Sequence, residues 1–241
     1  MKKFFNNILS RVVSNILRIV SREHNTTYSD RWHPHNALRK EALRETVDYI
    51  KTNMTSAMIR SDAFGVLSYA SRQVAIEGLI LEFGVRTGRT INHIAKSHPN
   101  ATIHGFDSFE GLPEDWTGWT QDKGTFARES MPQVEDNVRL VPGWFDETLE
   151  GFLVENSGDL AMVHIDSDLY SSAKTVLDGL ASRIKPGSVI VFNEYFNYPN
   201  WQQHEFKAFA EFCESNEVEY TYLCWGLFEV AVKILSIKSY Q

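Results

Sequence analysis

The chain has little cysteine, no excess of positive charge and no long apolar run, and each shortage excludes a class of protein. Its 241 residues include only two cysteines, Cys213 and Cys224, without metal-ligand spacing, which argues against a disulfide scaffold or a zinc site. Two reduced thiols are typical of an intracellular protein, and we expect a cytoplasmic one. The net charge of −7 argues against a nucleic-acid partner, since phosphate contacts need a basic surface. No apolar run reaches the length of a membrane span.

Apolar runs that indicate buried strands alternate with helical segments from residue 79 onward. The alternation predicts an α/β, Rossmann-like fold, with a mainly parallel seven-stranded sheet, helices on both faces and a C-terminal antiparallel hairpin. Two helical segments precede the first strand, at about 37–52 and 61–75, and we expect Ser61 to cap the second. The predicted strands are 79–83, 102–106, 138–141, 160–165, 188–192 and the two halves of a hairpin within 220–237.

The N-terminal 35 residues differ from the rest in charge and pattern. Residues 2–22 carry five basic side chains and no acid, and their apolar residues recur at helical spacing. We therefore predict a basic amphipathic helical arm, residues 1–35, ahead of a main domain, residues 36–241. Polar residues interrupt the apolar stretch, which argues against a signal peptide. Two interpretations stay open: the arm packs on its own domain or on a second subunit, or it lies on a membrane surface.

The turn after the first predicted strand has the features of a nucleoside-cofactor site. Gly84 and Gly88 let a ligand approach the backbone, and the helix that begins near Thr90 offers unpaired N–H groups. Asp107 ends the next strand about 20 residues later, where such folds hold a ribose diol. The middle glycine of a dinucleotide fingerprint is missing, and an acid, Glu82, precedes the turn. A carboxylate repels a pyrophosphate and attracts an ammonium, which favours S-adenosylmethionine.

Further polar residues lie at the predicted carboxyl ends of the strands. Ligands of parallel sheets bind beyond these ends, so one shared site is expected. Asp166, Asp168 and Glu194 would bring carboxylates together there, and clustered carboxylates bind a proton or a hard cation such as Mg²⁺. Such an ion would prepare a substrate hydroxyl as an alkoxide, with Asp166 as general base. The alternative is that Asp166 is a solvated strand end and Asp168 caps the next helix; we favour the cap for Asp168 alone.

Two further features have open interpretations. His204 begins a predicted helix beside this site and either assists proton transfer or has a structural role. Residues 108–137 form a long irregular stretch that contains Trp116, Trp119 and Phe126. Loops of this length inside a domain are usually functional, so it either closes over a cofactor or packs as a surface excursion.

Six segments of the chain resemble one family, the macrocin O-methyltransferase (TylF-like) family of class I S-adenosylmethionine-dependent methyltransferases. The resemblance covers the chain from about residue 76 onward and implies a Rossmann-like methyltransferase fold. It also implies methyl transfer to a hydroxyl group, often on a sugar of a natural product, and it makes a homodimer plausible while the oligomeric state stays open. The matching segments are LEFGVRTGRTI (81–91), GFDSFEGLP (105–113), VRLVPGWFDETL (138–149), HIDSDLYSSA (164–173), PGSVIVFNEY (186–195) and HEFKAF (204–209).

The same resemblance assigns roles to individual residues. Characterised members use magnesium, which implies Asp166 as a ligand and base, with Asn193 and Glu194 completing the metal site. Asn193 replaces an acid of the family pattern, so weaker metal binding is expected. Rival hypotheses are N-methylation of an amino sugar, and a cofactor-binding or scaffold protein that has lost catalysis. The implied cofactor-binding residues are Glu82, Gly84 and Gly88 at the methionine end, Asp107 at the ribose, and Thr90, Ser108, Gly143, Trp144 and Asp166 around them.

Overall fold

The computed structural model describes residues 33–238 of the chain. The predicted arm, residues 1–35, lies almost entirely outside the described residues, so the division between arm and main domain stays a prediction. Within 33–238, every helix is too short or too polar to cross a membrane. The compact unit that carries the sheet begins at Ala42.

The described residues form one mixed sheet in the order β1-β7-β8-β6-β5-β2-β3-β4. All neighbouring strands are parallel except β8, which runs antiparallel to both β6 and β7. The predicted mainly parallel sheet with its C-terminal hairpin is confirmed, and a short eighth strand, β1, extends it. The strands are β1 (Met58–Ile59), β2 (Leu79–Phe83), β3 (Ile103–Asp107), β4 (Val138–Pro142), β5 (Leu160–Ile165), β6 (Val189–Phe192), β7 (Glu219–Trp225) and β8 (Val230–Ser236).

Helices cover both faces of this sheet, as the sequence predicts. Every residue of β5 and β6 is buried, because central parallel strands pack against helices on each side. Alternate residues of β5 therefore belong to different cores: Met162 packs in the core of α2 and α3, and Val163 in the core of α4, α5 and α6. The helices are α1 (Pro34–Asn53), α2 (Ala63–Gln73), α3 (Arg89–Ser97), α4 (Phe145–Glu155), α5 (Tyr170–Leu180) and α6 (Glu205–Ser215).

Two predicted helix caps are wrong. The N-cap of α2 is Asp62, whose Oδ1 accepts the N–H of Gly65 at 2.8 Å, whereas Ser61 donates to the Asp62 carboxylate. The helix starts at residue 63, which leaves Ser61 one position too early to reach the free amides. The N-cap position of α5 belongs to Leu169, without a side-chain cap. Asp168 precedes it in the left-handed region (φ 64°) and has another role, described below.

Candidate functional site

A cavity of about 460 Å³ lies where the sheet topology predicts a ligand site, at the carboxyl ends of β2, β3, β5 and β6. Several residues singled out from the sequence line it, although they come from distant parts of the chain. Glu82, Gly88, Thr90, Gly143 and His204 do not line it. The sequence-predicted residues that line the cavity are Gly84, Asp107, Ser108, Trp116, Trp119, Phe126, Trp144, Asp166, Asp168, Asn193 and Glu194.

The turn after β2 brings two backbone segments into contact. Gly84 has φ 98°, and a Cβ there would lie 1.8 Å from the carbonyl oxygen of Asp166. Backbone hydrogen bonds hold this crossing, from Gly84 N–H to Phe106 and from Asp166 N–H to Phe83. Glycine is required here because the chain after β5 crosses the turn, and the crossing places the backbone of Asp166 beside Gly84.

Asp107 is held at the tip of β3 by the turn after β2. Its Oδ2 accepts the backbone N–H of Arg86 at 2.6 Å, and its Oδ1 accepts that of Phe109 at 2.7 Å. These contacts orient the carboxylate, and each oxygen keeps a second lone pair for a ligand. Arg86 also lines the cavity, with its guanidinium 4.3 Å from the ring centre of Phe126. No separate sequence signal singles out Arg86, which lies between the two turn glycines.

Glu82 and Thr90 lie behind the cavity, within the protein. Glu82 is fully buried; its Oε1 accepts the Thr90 hydroxyl at 3.1 Å, and its Oε2 lies 2.9 Å from Nδ1 of His164. Burial raises the pKa of Glu82 although the histidine opposes the shift. Burial also disfavours charge on His164, but the carboxylate outweighs it and raises the pKa of the imidazole. The pair therefore shares a proton inside the sheet.

An acidic cluster faces the cavity from the ends of β5 and β6. One carboxylate oxygen from each of Asp166, Asp168 and Glu194 lies within 4.8 Å of the other two. The amide of Asn193 donates to Asp166 at 3.3 Å and to Glu194 at 2.6 Å. Asp168 thus belongs to the cluster, contrary to the expected cap, because its left-handed backbone turns the chain before α5 begins. A fourth acid, Glu205, is fully buried and accepts the backbone N–H of Glu194 at 3.0 Å.

The acidic cluster holds protons more tightly than isolated acids do. Burial raises the pKa of Asp166 to about 6, and that of Glu205 to about 8. Burial and the neighbouring carboxylates raise the pKa of Asp168 and Glu194 well above their ordinary values. Carboxylates that share so little space release protons when a cation neutralises them. This set of hard oxygen donors fits Mg²⁺ or Ca²⁺, with the side-chain oxygen of Asn193 as a further ligand after a flip of its amide.

Aromatic rings form another wall of the cavity. Trp116 and Trp119 are stacked with ring centres 5.4 Å apart, and both meet Tyr198 edge-on. Trp119 also meets Phe228 edge-on, at 6.0 Å. All four rings line the cavity. The long stretch 108–137 therefore contributes its tryptophans to the cavity and buries one of them, since Trp116 is only 5% exposed.

His204 lies behind this aromatic wall. Its Nε2 lies 2.8 Å from the carbonyl oxygen of Thr117, and burial lowers its pKa. An imidazole that stays neutral at neutral pH donates one hydrogen bond and is a poor source of protons. The catalytic role predicted for His204 stays a prediction, and its contacts join it to the stretch that carries the tryptophans.

The fold is that of class I methyltransferases. The calicheamicin methyltransferase CalS11 superposes with a TM-score of 0.59 at 26% identity, over 70% of this chain and 77% of that chain. An O-methyltransferase from Bacillus cereus in complex with SAH superposes with a TM-score of 0.50 at 16% identity, over 88% and 96% of the two chains.

The family follows from the sequence as well. A model of the family described as Macrocin-O-methyltransferase (TylF) matches residues 9–222. The chain belongs to this macrocin O-methyltransferase family, which confirms the resemblance found in its motifs.

Two curated Streptomyces proteins are among its relatives. A tetracenomycin-C rhamnosyl 4'-O-methyltransferase from Streptomyces olivaceus is 29% identical over 157 residues, which cover 54% of this chain and 58% of that protein. Demethyldecarbamoylnovobiocin O-methyltransferase from Streptomyces niveus is 26% identical over 147 residues, or 52% and 55% of the two proteins. The chain thus matches little more than half the length of these relatives.

Proposed function

We propose that the chain is an S-adenosylmethionine-dependent O-methyltransferase that acts on a hydroxyl group of a sugar or another small-molecule natural product. The observation that carries this proposal is one cavity, lined at the same time by Asp107 and by the acidic cluster. Its volume is in the range of small-molecule sites. The family supports methyl transfer, and the Streptomyces olivaceus relative is named for a rhamnosyl substrate.

Asp107 would bind the ribose of the cofactor. The N–H groups of Arg86 and Phe109 keep its carboxylate oriented, and its remaining lone pairs accept the two hydroxyls of a ribose. Ser108 and Trp144 line the cavity beside it and would contact the nucleoside. S-adenosylmethionine, when bound, supplies a methyl group activated by its sulfonium.

Asp166 would act on the acceptor as general base. A pKa of about 6 leaves the carboxylate ionised at neutral pH and still basic enough to accept a proton from a hydroxyl. Asp166, Asp168, Glu194 and the oxygen of Asn193 would hold Mg²⁺. The ion, when bound, would lower the pKa of the acceptor hydroxyl. The aromatic wall would orient the acceptor by packing against its apolar face.

A thermal-shift titration with S-adenosylmethionine, with and without Mg²⁺, tests the cofactor assignment. Saturation at 100 times the dissociation constant adds about 2.7 kcal/mol, which is roughly 5–10 °C for a chain of this size. Asp107→Ala should lose the shift. Asp178→Asn, in an exposed ion pair with Lys174, is the matched control and should keep it. Absence of a shift in the wild-type protein would contradict the proposal and favour a protein that has lost cofactor binding.

Transfer of a labelled methyl group to a panel of glycosides tests the reaction. Asp166→Asn should lower kcat by about 10²- to 10⁴-fold, the usual contribution of a general base. Sensitivity to EDTA would support the proposed metal. Methylation of an amino sugar that EDTA does not affect would instead favour N-methylation.

A further inference from the structure

Residues 112–125, here called the tryptophan loop, are closed by their own backbone hydrogen bonds. Leu112 donates to Thr125 and accepts from Gly124, both at 2.9 Å, and Trp116 donates to Gln121 at 2.9 Å. These bonds join one end of the loop to the other. The loop is therefore a unit whose placement depends on where it contacts the rest of the protein.

One corner of the tryptophan loop docks onto the segment that follows β6, and elsewhere the Ser171 hydroxyl donates to Glu114 of the loop at 2.6 Å. His204 Nε2 lies 2.8 Å from the carbonyl oxygen of Thr117. Asn200 Nδ2 donates to the Thr117 hydroxyl at 3.1 Å. The next residue, Gly118, has φ 87°, and a Cβ there would lie 2.2 Å from the carbonyl oxygen of Pro199. The two backbones thus meet as closely as a glycine allows.

This corner sets the position of the aromatic wall. Trp116 adjoins Thr117 in the chain, and Trp119 lies two residues further on; both rings meet Tyr198 edge-on, at 5.8 and 5.5 Å. The Tyr198 hydroxyl in turn donates to the carbonyl oxygen of Glu194 at 3.2 Å. The position of the aromatic wall relative to the acidic cluster is therefore set by these contacts, from the two indole rings to Tyr198 and from Tyr198 to Glu194. A displacement of Thr117 would move both indole rings relative to that cluster.

The placement of His204 is better explained by docking than by proton transfer. It does not line the cavity, and its side chain is buried. With the Nε2 proton donated to Thr117, the other nitrogen, Nδ1, is buried and has no hydrogen-bond partner among the described residues. A proton carrier needs a path to the reacting hydroxyl, and Trp116 and Tyr198 stand beside the imidazole instead.

We propose that His204 and Asn200 are positioning residues, which hold the tryptophan loop at Thr117 and so fix the acceptor wall of the cavity. Substitution of such a positioning residue should weaken acceptor binding and make the tryptophan loop easier to cleave by a protease. It should leave the cofactor end of the cavity unaffected. The kinetic part of the inference rests on the proposed function. The docking part does not, and it has its own measurement.

Limited trypsin digestion measures the docking directly. Lys123 and Arg128 lie in or next to the tryptophan loop and are exposed. His204→Ala should raise cleavage at these sites roughly fivefold or more, since it removes the hydrogen bond and the packing at the corner. His204→Gln keeps an N–H donor and should stay near the wild-type rate. Lys96, 67% exposed on α3, is the internal control and should be cut at the same rate in every variant.

Asn200→Gly provides a second variant that preserves the fold. Asn200 is exposed and has φ 70°, which glycine adopts freely, so the change removes the amide without strain. It should also raise cleavage at Lys123 and Arg128 and leave Lys96 unaffected. Unchanged loop cleavage in both His204→Ala and Asn200→Gly would overturn the proposal. Faster cleavage at Lys96 as well would also overturn it, because the effect would then be general unfolding.

Steady-state kinetics separate positioning from catalysis. His204→Ala should raise KM for the acceptor about tenfold and leave the dissociation constant of S-adenosylmethionine unchanged, and His204→Gln should restore most of that KM. Equal loss of kcat in His204→Ala and His204→Gln, at unchanged KM, would overturn the positioning role in favour of proton transfer. Failure of any acceptor to be methylated would count against the proposed function, and the digestion would still decide the docking.

Discussion

Glu82 and His164 face each other in register on β2 and β5, with Oε2 of the carboxylate 2.9 Å from Nδ1 of the imidazole. Both side chains are essentially inaccessible to solvent. A charge placed so deeply costs several kcal/mol unless its partner neutralises it, so the pair is stable only as a unit. The pair lies directly behind the turn after β2 and links β2 and β5, the strands that Gly84 and Asp166 directly follow.

Substitution of one member of the Glu82–His164 pair should show that each side chain depends on the other for its stability in the interior. His164→Leu should lower the free energy of unfolding by about 3–5 kcal/mol, because it leaves the Glu82 carboxylate buried without its charged partner. Adding Glu82→Gln should recover part of the loss by removing the charge. Urea denaturation of the two single variants and the double variant measures the coupling. Strict additivity of the two changes would show that the residues do not act as a pair.

The crossing at Gly84 predicts a large effect from one methyl group. In Gly84→Ala the new Cβ meets the backbone of Asp166, which cannot rotate away, so we expect a loss of more than about 4 kcal/mol. Gly124→Ala is the matched control, since it has a similar φ of 81° but open space around its Cβ. It should cost only about 1–2 kcal/mol of backbone strain. Comparable urea midpoints for the two variants would contradict this account.

A network of tyrosine hydroxyls joins α1 to the segment after β6 and to β7 of the hairpin. The Tyr222 hydroxyl lies 2.5 Å from that of Tyr49, 2.9 Å from Tyr195 and 3.2 Å from Tyr220. Tyr222→Phe removes the shared partner and should cost about 1–3 kcal/mol, which lowers Tm by roughly 2–12 °C. Tyr220→Phe, at the longest contact, should lower Tm less, and the reverse order in a thermal scan would refute the central position of Tyr222.

The acidic cluster predicts how stability depends on pH and on a cation. The folded state binds protons more tightly than the unfolded state, with pKa values raised from 3.8 to about 6 at Asp166 and from 4.5 to about 8 at Glu205. The stability that these groups contribute is therefore complete below about pH 4 and is lost as pH rises toward 8.

Mg²⁺ should offset that loss, because it replaces the protons. Its effect on Tm should be larger at pH 8 than at pH 5.5, and Glu194→Gln should reduce it. Asp178→Asn, at an exposed surface pair, should keep the full effect. A Tm response to Mg²⁺ that is equal at both pH values, or equal in Glu194→Gln, would exclude the cluster as the site.

The order of strands and helices was predictable because each element is marked by the apolar pattern of its own residues. β5, for example, is a six-residue run, Leu160–Ile165, that is apolar except for His164 and lies between Asp159 and Asp166. β1 has only two residues, too few for any period, and it forms by pairing with Cys224 and Trp225 far along the chain. The wrong cap at Asp168 has a similar cause, since a local pattern does not report the left-handed turn at that residue.

The candidate site was predictable only where strand ends define it. Asp107 ends β3 and Asp166 comes directly after β5. Both line the cavity because the carboxyl ends of these strands lie at the same edge of the sheet. Glu82 is also on a strand, but its environment depends on the register of β2 against β5, which places His164 opposite it. The contacts of His204 depend on where a loop some 87 residues earlier in the chain comes to lie.

The aromatic wall lies on connections between strands and helices, whereas Asp107 and Asp166 lie at strand ends of the sheet. This difference bears on how the two sides of the cavity can change in evolution. Asp107 and Asp166 are fixed by sheet pairing, whereas Trp116, Trp119 and Tyr198 belong to two connections outside the sheet. Insertions and substitutions are tolerated better in connections than in strands. Under the proposed function, residues 112–125 and 195–204 would have to change together to alter the acceptor, because they contact each other at Thr117, and such a change would leave the sheet-borne residues Asp107 and Asp166 in place.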